Sequence, residues 1–189
     1  HATYVELDCS RDGSIWTRVG AGQPFMGFND RHDTWDASIM RPVSVLEVGD
    51  EVWVYYFGAP TEIEANNKAL PDAHRTDYAL GLATLKRDRF VSINGGEKPG
   101  ELTTRPLTFQ GNRLHINAGI EKGGRLRVAV VAGDNRPIPG FGFDDCQPII
   151  GDGIDLAVSW KGQAKLPVAV RPRLKFELTR SRLYSFWID

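Results

Sequence analysis

Two long connections in the first half of the chain carry most of the side chains that could bind a ligand. The first runs from Gly20 to Asp36 and contains Asn29, Asp30, His32, Trp35 and Asp36. The second runs from Gly58 to Asp77 and contains Glu62, Glu64, His74 and Asp77. Loops of this length are uncommon in compact domains unless they are functional or mobile. If these polar groups converge, they can bind hydroxyl groups or a hard cation; the alternative for each is a solvated loop.

Four further acidic residues follow in the second half of the chain, namely Asp144, Asp145, Asp152 and Asp155. Hard cations take several oxygen ligands, so calcium is one interpretation of this group. The spacing matches no calcium-binding loop, however, and turn chemistry accounts for Asp residues beside Gly151 and Gly153. We therefore predict no metal site and no cofactor.

A serine or cysteine nucleophile is not indicated either. The sequence has no Gly-x-Ser-x-Gly elbow, and neither Cys9 nor Cys146 lies in a context that would activate a thiol. The two cysteines either form a disulfide or remain as partly buried thiols.

Composition limits the classes of partner. The chain has 189 residues and a formal net charge of -1, without the basic surface that neutralises nucleic-acid phosphates. No apolar run approaches the roughly 20 residues that cross a bilayer. We expect a soluble protein with no nucleic-acid and no membrane partner, and secreted and cytoplasmic locations both fit. Because 41% of the residues are hydrophobic, a packed core is expected.

Alternating or continuous runs of β-branched and aromatic residues recur throughout the chain, and no window has a helical apolar stripe. The sequence therefore predicts an all-β protein. The predicted strands are Tyr4 to Cys9, Ile39 to Val48, Glu51 to Phe57, Tyr78 to Leu85, Leu102 to Phe109, Arg113 to Asn117, Arg125 to Val131, Ile154 to Trp160, Arg171 to Thr179 and Leu183 to Ile188.

Short glycine-containing connections predict antiparallel pairing. Arg41 to Phe57 is predicted to be a hairpin that turns at Gly49. The segments 109–112 and 121–124 are interpreted as turns of the same kind. A boundary near the Gly- and Pro-containing segment 95–100 divides the chain into a β-meander, residues 1–97, and an antiparallel β-sandwich, residues 98–189.

A series of motifs resembles a known family. The first-half motifs are Ser10-Arg11-Asp12-Gly13-Ser14-Ile15-Trp16, Thr34-Trp35-Asp36, Val52-Trp53-Val54-Tyr55-Tyr56-Phe57-Gly58 and Leu80-Gly81-Leu82-Ala83-Thr84-Leu85. The second-half motifs are Leu102-Thr103-Thr104-Arg105-Pro106-Leu107, Leu114-His115-Ile116-Asn117-Ala118, Pro137-Ile138-Pro139-Gly140-Phe141 and Leu174-Lys175-Phe176-Glu177-Leu178. Their order is similar to the last blade and the following β-sandwich of five-bladed β-propeller glycoside hydrolases of the invertase and levanase-like group.

The resemblance implies that Asp36 lines a sugar pocket, with Trp35 stacking on the sugar. It also implies that the two long connections lie on one rim and border that pocket. The alternative for Asp36 is a residue at a strand start that satisfies local backbone donors. Glycoside hydrolysis ordinarily needs two carboxyl groups, and the family supplies its pair from blades that this sequence does not contain. Asp36 is the only catalytic candidate.

Three functional hypotheses follow. The first is a carbohydrate-active module that supports or binds a glycan or oligosaccharide without completing catalysis. The second is a glycosidase whose site is completed by a missing propeller chain or by a second copy in a homo-oligomer. The third is a purely structural or assembly module. One blade alone would expose two apolar faces, which is why a further chain is considered.

Overall fold

The computed structural model describes residues 3–27, 34–37, 39–59, 78–167 and 171–189. The all-β prediction is confirmed, because these residues form antiparallel sheets and one short 3-10 helix, Gly20–Gly22. The strands are β1 (Asp8–Ser10), β2 (Trp16–Arg18), β3 (Ile39–Val48), β4 (Glu51–Ala59), β5 (Ala79–Lys86), β6 (Ile93–Gly95), β7 (Gly100–Thr103), β8 (Leu114–Val131), β9 (Asp152–Ala157) and β10 (Arg173–Ile188).

The chain divides into two compact units, His1–Leu85 and Lys86–Asp189. The boundary expected from the sequence, after residue 97, stays a prediction. Among the described residues, no helix is long and apolar enough to span a membrane.

The first unit contains a three-stranded sheet in the order β3-β4-β5. The predicted hairpin is confirmed: β3 and β4 are antiparallel, and Val48 pairs with Glu51 across a two-residue turn. Gly49 has a φ of 61°, whereas Asp50 is not in the positive-φ region. A glycine with positive φ at the first central position is typical of the type II′ turn, whose twist matches that of the strands.

A smaller two-stranded sheet, β1-β2, precedes it. Its turn is organised by Asp12, whose Oδ1 accepts hydrogen bonds from the backbone N–H groups of Ile15 at 2.9 Å and Ser14 at 2.8 Å. These bonds hold the pKa of Asp12 below its usual value. The ring nitrogen of Trp16 donates to the carbonyl of Gly13, and most of the Trp16 side chain remains exposed.

The second unit is built on a five-stranded sheet. β10 is its central strand, pairing with β8 along one edge and with β6 and β7 along the other. β9 pairs with the opposite edge of β8. Near the end of this central strand, Leu183 belongs to the core of the unit, and Phe186 and Ile188 pack against that core.

One face of β8 and β10 is buried throughout their paired middle part, while the other face is mixed, since Arg125 is exposed but Ala129 and Glu177 are buried. Leu126, Val128 and Val130 are completely buried, and so are Leu174 and Phe176 in β10. They form one core with residues from the connecting segments, namely Phe141, Cys146, Ile149, Trp160 and Leu166. The inward face is therefore dry, as expected for a sheet covered on one side.

The turn expected at 121–124 is wrong. β8 continues through this segment, and β10 likewise continues from Thr179 to Leu183, with a register shift between Thr179 and Ser181. Arg180 takes a positive φ of 44° at this shift. A Cβ atom at Gly124 would lie 2.5 Å from the carbonyl oxygen of Arg180, so the glycine permits close approach of a β-bulge.

The segment 109–112 is not a hairpin turn either. It precedes β8, but the preceding strand β7 pairs with β10 and not with β8. Gly111 has a φ of 97°, and the N–H groups of Asn112 and Arg113 donate to the carbonyl of Asp189. The glycine therefore allows the chain to pass close beside the end of β10.

Candidate ligand-binding site

Trp35 lies on the three-stranded sheet of the first unit, in the short described segment 34–37. Its ring stacks on that of Tyr56 in β4, with 5.7 Å between ring centroids and 18° between planes. The residue keeps 41% of its surface exposed. An indole held on one side and open on the other is a flat, amphipathic contact surface.

Two glycines leave the space that this ring occupies. A Cβ atom at Gly58 of β4 would overlap the indole and would lie 2.7 Å from Cβ of Asp36. A Cβ atom at Gly81 of β5 would lie 2.6 Å from Cζ of Tyr56 and 2.7 Å from Cη2 of Trp35. Glycine inside a strand often marks a close approach of another group, and here that group is an aromatic ring.

Asp36 is only 6% exposed and is bound by the neighbouring strand. The hydroxyl of Tyr56 donates a hydrogen bond of 2.9 Å to its Oδ2. Burial, together with this bond and the charge of Asp36, raises the pKa of Tyr56 to about 12. Tyr56 therefore stays protonated at neutral pH and remains a donor to the carboxylate.

Among the described residues, the hydrogen bond to the Asp36 side chain comes from the Tyr56 hydroxyl, twenty residues away in sequence. A carboxylate with one oxygen bound and little exposure fits a group that fixes the position of its neighbours. The catalytic and sugar-binding roles of Asp36 stay predictions.

The other predicted site residues lie outside the described residues, so their convergence stays a prediction. They are Asn29, Asp30, His32, Glu62, Glu64, His74 and Asp77. The structure brings together only Trp35 and Asp36 of the predicted set. It adds Tyr56, Gly58 and Gly81, which the sequence reasoning did not assign to the site; the two glycines inside strongly β-prone runs were the available signal.

The four acidic residues of the second half are each paired with a different basic side chain. Asp144 pairs with Arg127, Asp145 with Lys161, Asp152 with Lys86 and Arg89, and Asp155 with His115. In the part of the chain that the structure describes, no group of three or more His, Cys, Asp or Glu side chains is arranged to hold a metal ion. Ion pairs for Asp144, Asp145 and Asp152, and a hydrogen bond to His115 for Asp155, are therefore the observed contacts of these acids.

The cysteines are both free thiols. Cys9 is exposed, whereas Cys146 is buried in the second core and accepts a hydrogen bond from the backbone N–H of Val128. Burial raises the pKa of the Cys146 thiol, which lowers its thiolate fraction and its reactivity.

Comparisons with protein-family models, with curated proteins and with solved structures found no match to this chain. The resemblance to propeller glycoside hydrolases stays a prediction, and the geometry of the site is the basis for a functional interpretation.

Proposed function

We propose that the chain is a carbohydrate-active module that binds glycan and resembles the C-terminal part of a five-bladed β-propeller glycoside hydrolase. The observation that carries this proposal is the position of the exposed Trp35 indole, which its contacts with β4 and β5 fix. The ring lies against the backbone of β4 at Gly58 and of β5 at Gly81, where no side chain stands in its place. It also stacks on the nearly parallel ring of Tyr56.

A fixed aromatic surface suits a sugar. Sugar rings present a face of C–H groups to an aromatic ring and hydroxyl groups at their edges, so they need a flat apolar contact beside polar groups. A preorganised ring also costs less side-chain entropy on binding than a mobile one. Asp36 lies next to the indole and contributes a carboxylate whose Oδ2 is already bound by Tyr56.

The test is a binding assay with a glycan panel. Fructans, mannans, xylans and their oligosaccharides are presented in affinity gels, and hits are quantified by isothermal titration calorimetry. We expect one class to bind and Trp35→Ala to weaken that binding at least about tenfold, the equivalent of roughly 1.4 kcal/mol.

The matched control is Trp16→Ala. Trp16 is also an exposed indole of the first unit, but its ring nitrogen is bound in the β1-β2 turn. Its removal is expected to leave affinity unchanged. If no glycan binds, or if Trp35→Ala and wild type bind equally, the proposal is wrong.

A glycosidase completed by another chain is the second candidate, and one specific observation favours it. One side of the β3-β4-β5 sheet exposes an apolar set that we call the outer face: Leu46, Val48, Phe57, Leu80 and Leu82. Leu46 and Val48 share this side with Phe57 because they pair with Trp53 and Glu51 of β4. Leu80 and Leu82 alternate with Gly81, which faces Tyr56 on the opposite side.

Oligomeric state and hydrolysis separate the two candidates. Light scattering after size exclusion gives the mass, and chromogenic glycosides report hydrolysis. A multimer that hydrolyses a glycoside and loses that activity on Asp36→Asn supports the second candidate. A monomer that binds glycan without hydrolysis supports the first. A monomer whose melting temperature is unaffected by any saccharide supports the third hypothesis, a purely structural or assembly module.

A further inference from the structure

A pocket lies in the second unit, and the strand register creates it. Gly119 of β8 pairs with Asp152 of β9 on one side and with Arg182 of β10 on the other. Directly paired residues project to the same face of a sheet. Because glycine has no side chain, a gap remains between Asp152 and Arg182, and it opens into a pocket of about 280 Å³. That volume is near the lower end of the roughly 300–1,000 Å³ of ligand pockets.

One wall of the pocket is a rigidly held arginine. Nε of Arg89 donates to the side-chain oxygen of Asn117 at 2.8 Å, and Nη2 donates to the carbonyls of Ala118 and Gly153, each at 3.1 Å. The Asn117 side chain is fixed in turn, since its amide donates to the carbonyl of Arg87. The Arg89 side chain is only 11% exposed. Its guanidinium group is therefore preorganised and not a mobile surface charge.

The remaining contacts of Arg89 leave one nitrogen open. Nη2 also pairs with Oδ1 of Asp152 at 2.6 Å, while Lys86 binds Oδ2 at 2.5 Å. The guanidinium carbon lies 4.6 Å from the centre of the Tyr184 ring, which also lines the pocket. Among the described residues, Nη1 of Arg89 has no hydrogen-bond or ion-pair partner, and a Cβ atom at Gly119 would lie 3.9 Å from it.

The charges around the gap favour a single negative group. Arg182 is exposed, lines the pocket and has no ion pair within the described ranges. Both oxygens of Asp152 are already engaged, so it offers little further attraction to a cation. Glu121, the other acid of the lining, is exposed, and its charge adds to the effect of Glu97 in raising the pKa of Arg180. It would repel a second negative charge but can accept hydrogen bonds from hydroxyl groups.

We propose that this pocket binds the carboxylate of an acidic sugar, a hexuronic acid unit. Nη1 of Arg89 and the Arg182 guanidinium donate to the carboxylate, a geometry that planar guanidinium groups match well. Glu121 accepts from the neighbouring sugar hydroxyls. This site is separate from the Trp35 surface and does not depend on it.

Nuclear magnetic resonance of the ¹⁵N-labelled full chain tests the proposal. Sodium D-galacturonate is the probe, and D-galactose, which has a hydroxymethyl group in place of the carboxylate, is the neutral match. We expect galacturonate to shift the Nε–H signal of Arg89 and the backbone amides of Gly119 and Tyr184. Galactose at equal concentration is expected to shift them at least about tenfold less, and inorganic phosphate is expected to compete weakly because of Glu121.

Two variants address the mechanism in different ways. Arg182→Gln removes one donor and is expected to weaken galacturonate binding about tenfold. Gly119→Ala places a methyl group at ordinary contact distances of 3.5 to 3.9 Å, so the fold tolerates it while the gap is partly filled. It is expected to weaken binding without changing the net charge.

Arg136→Gln is the control, since Arg136 is a highly exposed arginine that does not line the pocket. Unchanged amide signals of the core residues Leu126 and Phe176 check that each variant is folded. The proposal is overturned if galactose or phosphate binds as tightly as galacturonate. It is equally overturned if folded Arg182→Gln and Gly119→Ala bind galacturonate like wild type.

Discussion

The two larger sheets of this protein place similar apolar residues in opposite environments. In the second unit, the valines and leucines of β8 and β10 are completely buried. In the first unit, Leu46 of β3 and Leu80 of β5, both on the outer face, are about half exposed or more. The five-stranded sheet therefore buries its apolar side chains in a core of its own unit. The three-stranded sheet leaves its outer face exposed and carries the exposed Trp35 indole on its opposite face. The most completely buried apolar strands and the exposed indole thus lie in different units.

The largest expected effect tests the self-sufficient core. Trp160 is 1% exposed, packs against Phe141 and donates from Nε1 to the carbonyl of Val128 at 2.7 Å. Trp160→Ala is expected to lower the free energy of unfolding of the second unit by about 3–5 kcal/mol, since it leaves a large cavity and an unpaired carbonyl. Hydrogen exchange resolved by peptide measures each unit separately.

The matched change in the other sheet is Leu46→Ala, at an exposed position, which is expected to alter stability by about 0.5 kcal/mol or less. Equal losses in the two variants would remove the contrast between a buried and an exposed sheet.

An intermediate loss of stability is expected where the Trp35 indole lies against Gly58. Gly58→Ala places a methyl group where Trp35 and Asp36 now lie, and strain of this kind typically costs about 1–3 kcal/mol. Glycan binding is expected to fall with it, because the ring must move. Thermal unfolding and the glycan titration measure the two consequences on one sample.

Gly96→Ala is the control for any general cost of replacing a strand-flanking glycine. Gly96 has open space where a Cβ would be placed and no positive φ. If Gly58→Ala is as mild as Gly96→Ala in both assays, the indole is not held as described.

A smaller loss of stability than at Gly58 is expected at the buried hydroxyl of Tyr56. Tyr56→Phe leaves Oδ2 of Asp36 without its donor, which is expected to cost about 1–2 kcal/mol. The folded pKa of Tyr56, about 12, lies above its usual value of 10.0. Its contribution to stability is therefore complete below pH 10 and is lost as the pH rises from there toward 12.

Urea denaturation between pH 7 and pH 11.5 measures this loss in the wild type, and Tyr56→Phe is expected to reduce the decline. Tyr55→Phe is the control, because the Tyr55 ring packs edge-on against Trp53 instead of meeting Asp36. Identical pH profiles for wild type and Tyr56→Phe would argue against the hydrogen bond.

Local chemistry explains which elements were predictable. The β3-β4 hairpin follows from two β-prone runs and one glycine at the turn, all within twenty residues. The segment at Gly123 and Gly124 carries a similar local signal but forms a bulge. Only its pairing with Arg180, far away in sequence, distinguishes the two outcomes, so no local rule could have separated them.

The candidate site shows the same division. Trp35 and Asp36 are adjacent in sequence and were assigned together. Tyr56, Gly58 and Gly81 join them from two different strands, and their proximity depends on how β4 and β5 align. The pocket at Gly119 depends even more on alignment, since its walls come from three strands.

The long pairing of β8 with β10 also affects how the second unit acquires its structure. Most of its apolar surface is sealed by contacts between segments far apart in the chain, and closing such loops is slow. Until that happens, the hydrophobic stripe of β8 has no partner, and a nascent strand in this condition is prone to associate with other chains. Refolding yield is therefore expected to fall as protein concentration rises, although the finished unit is well packed.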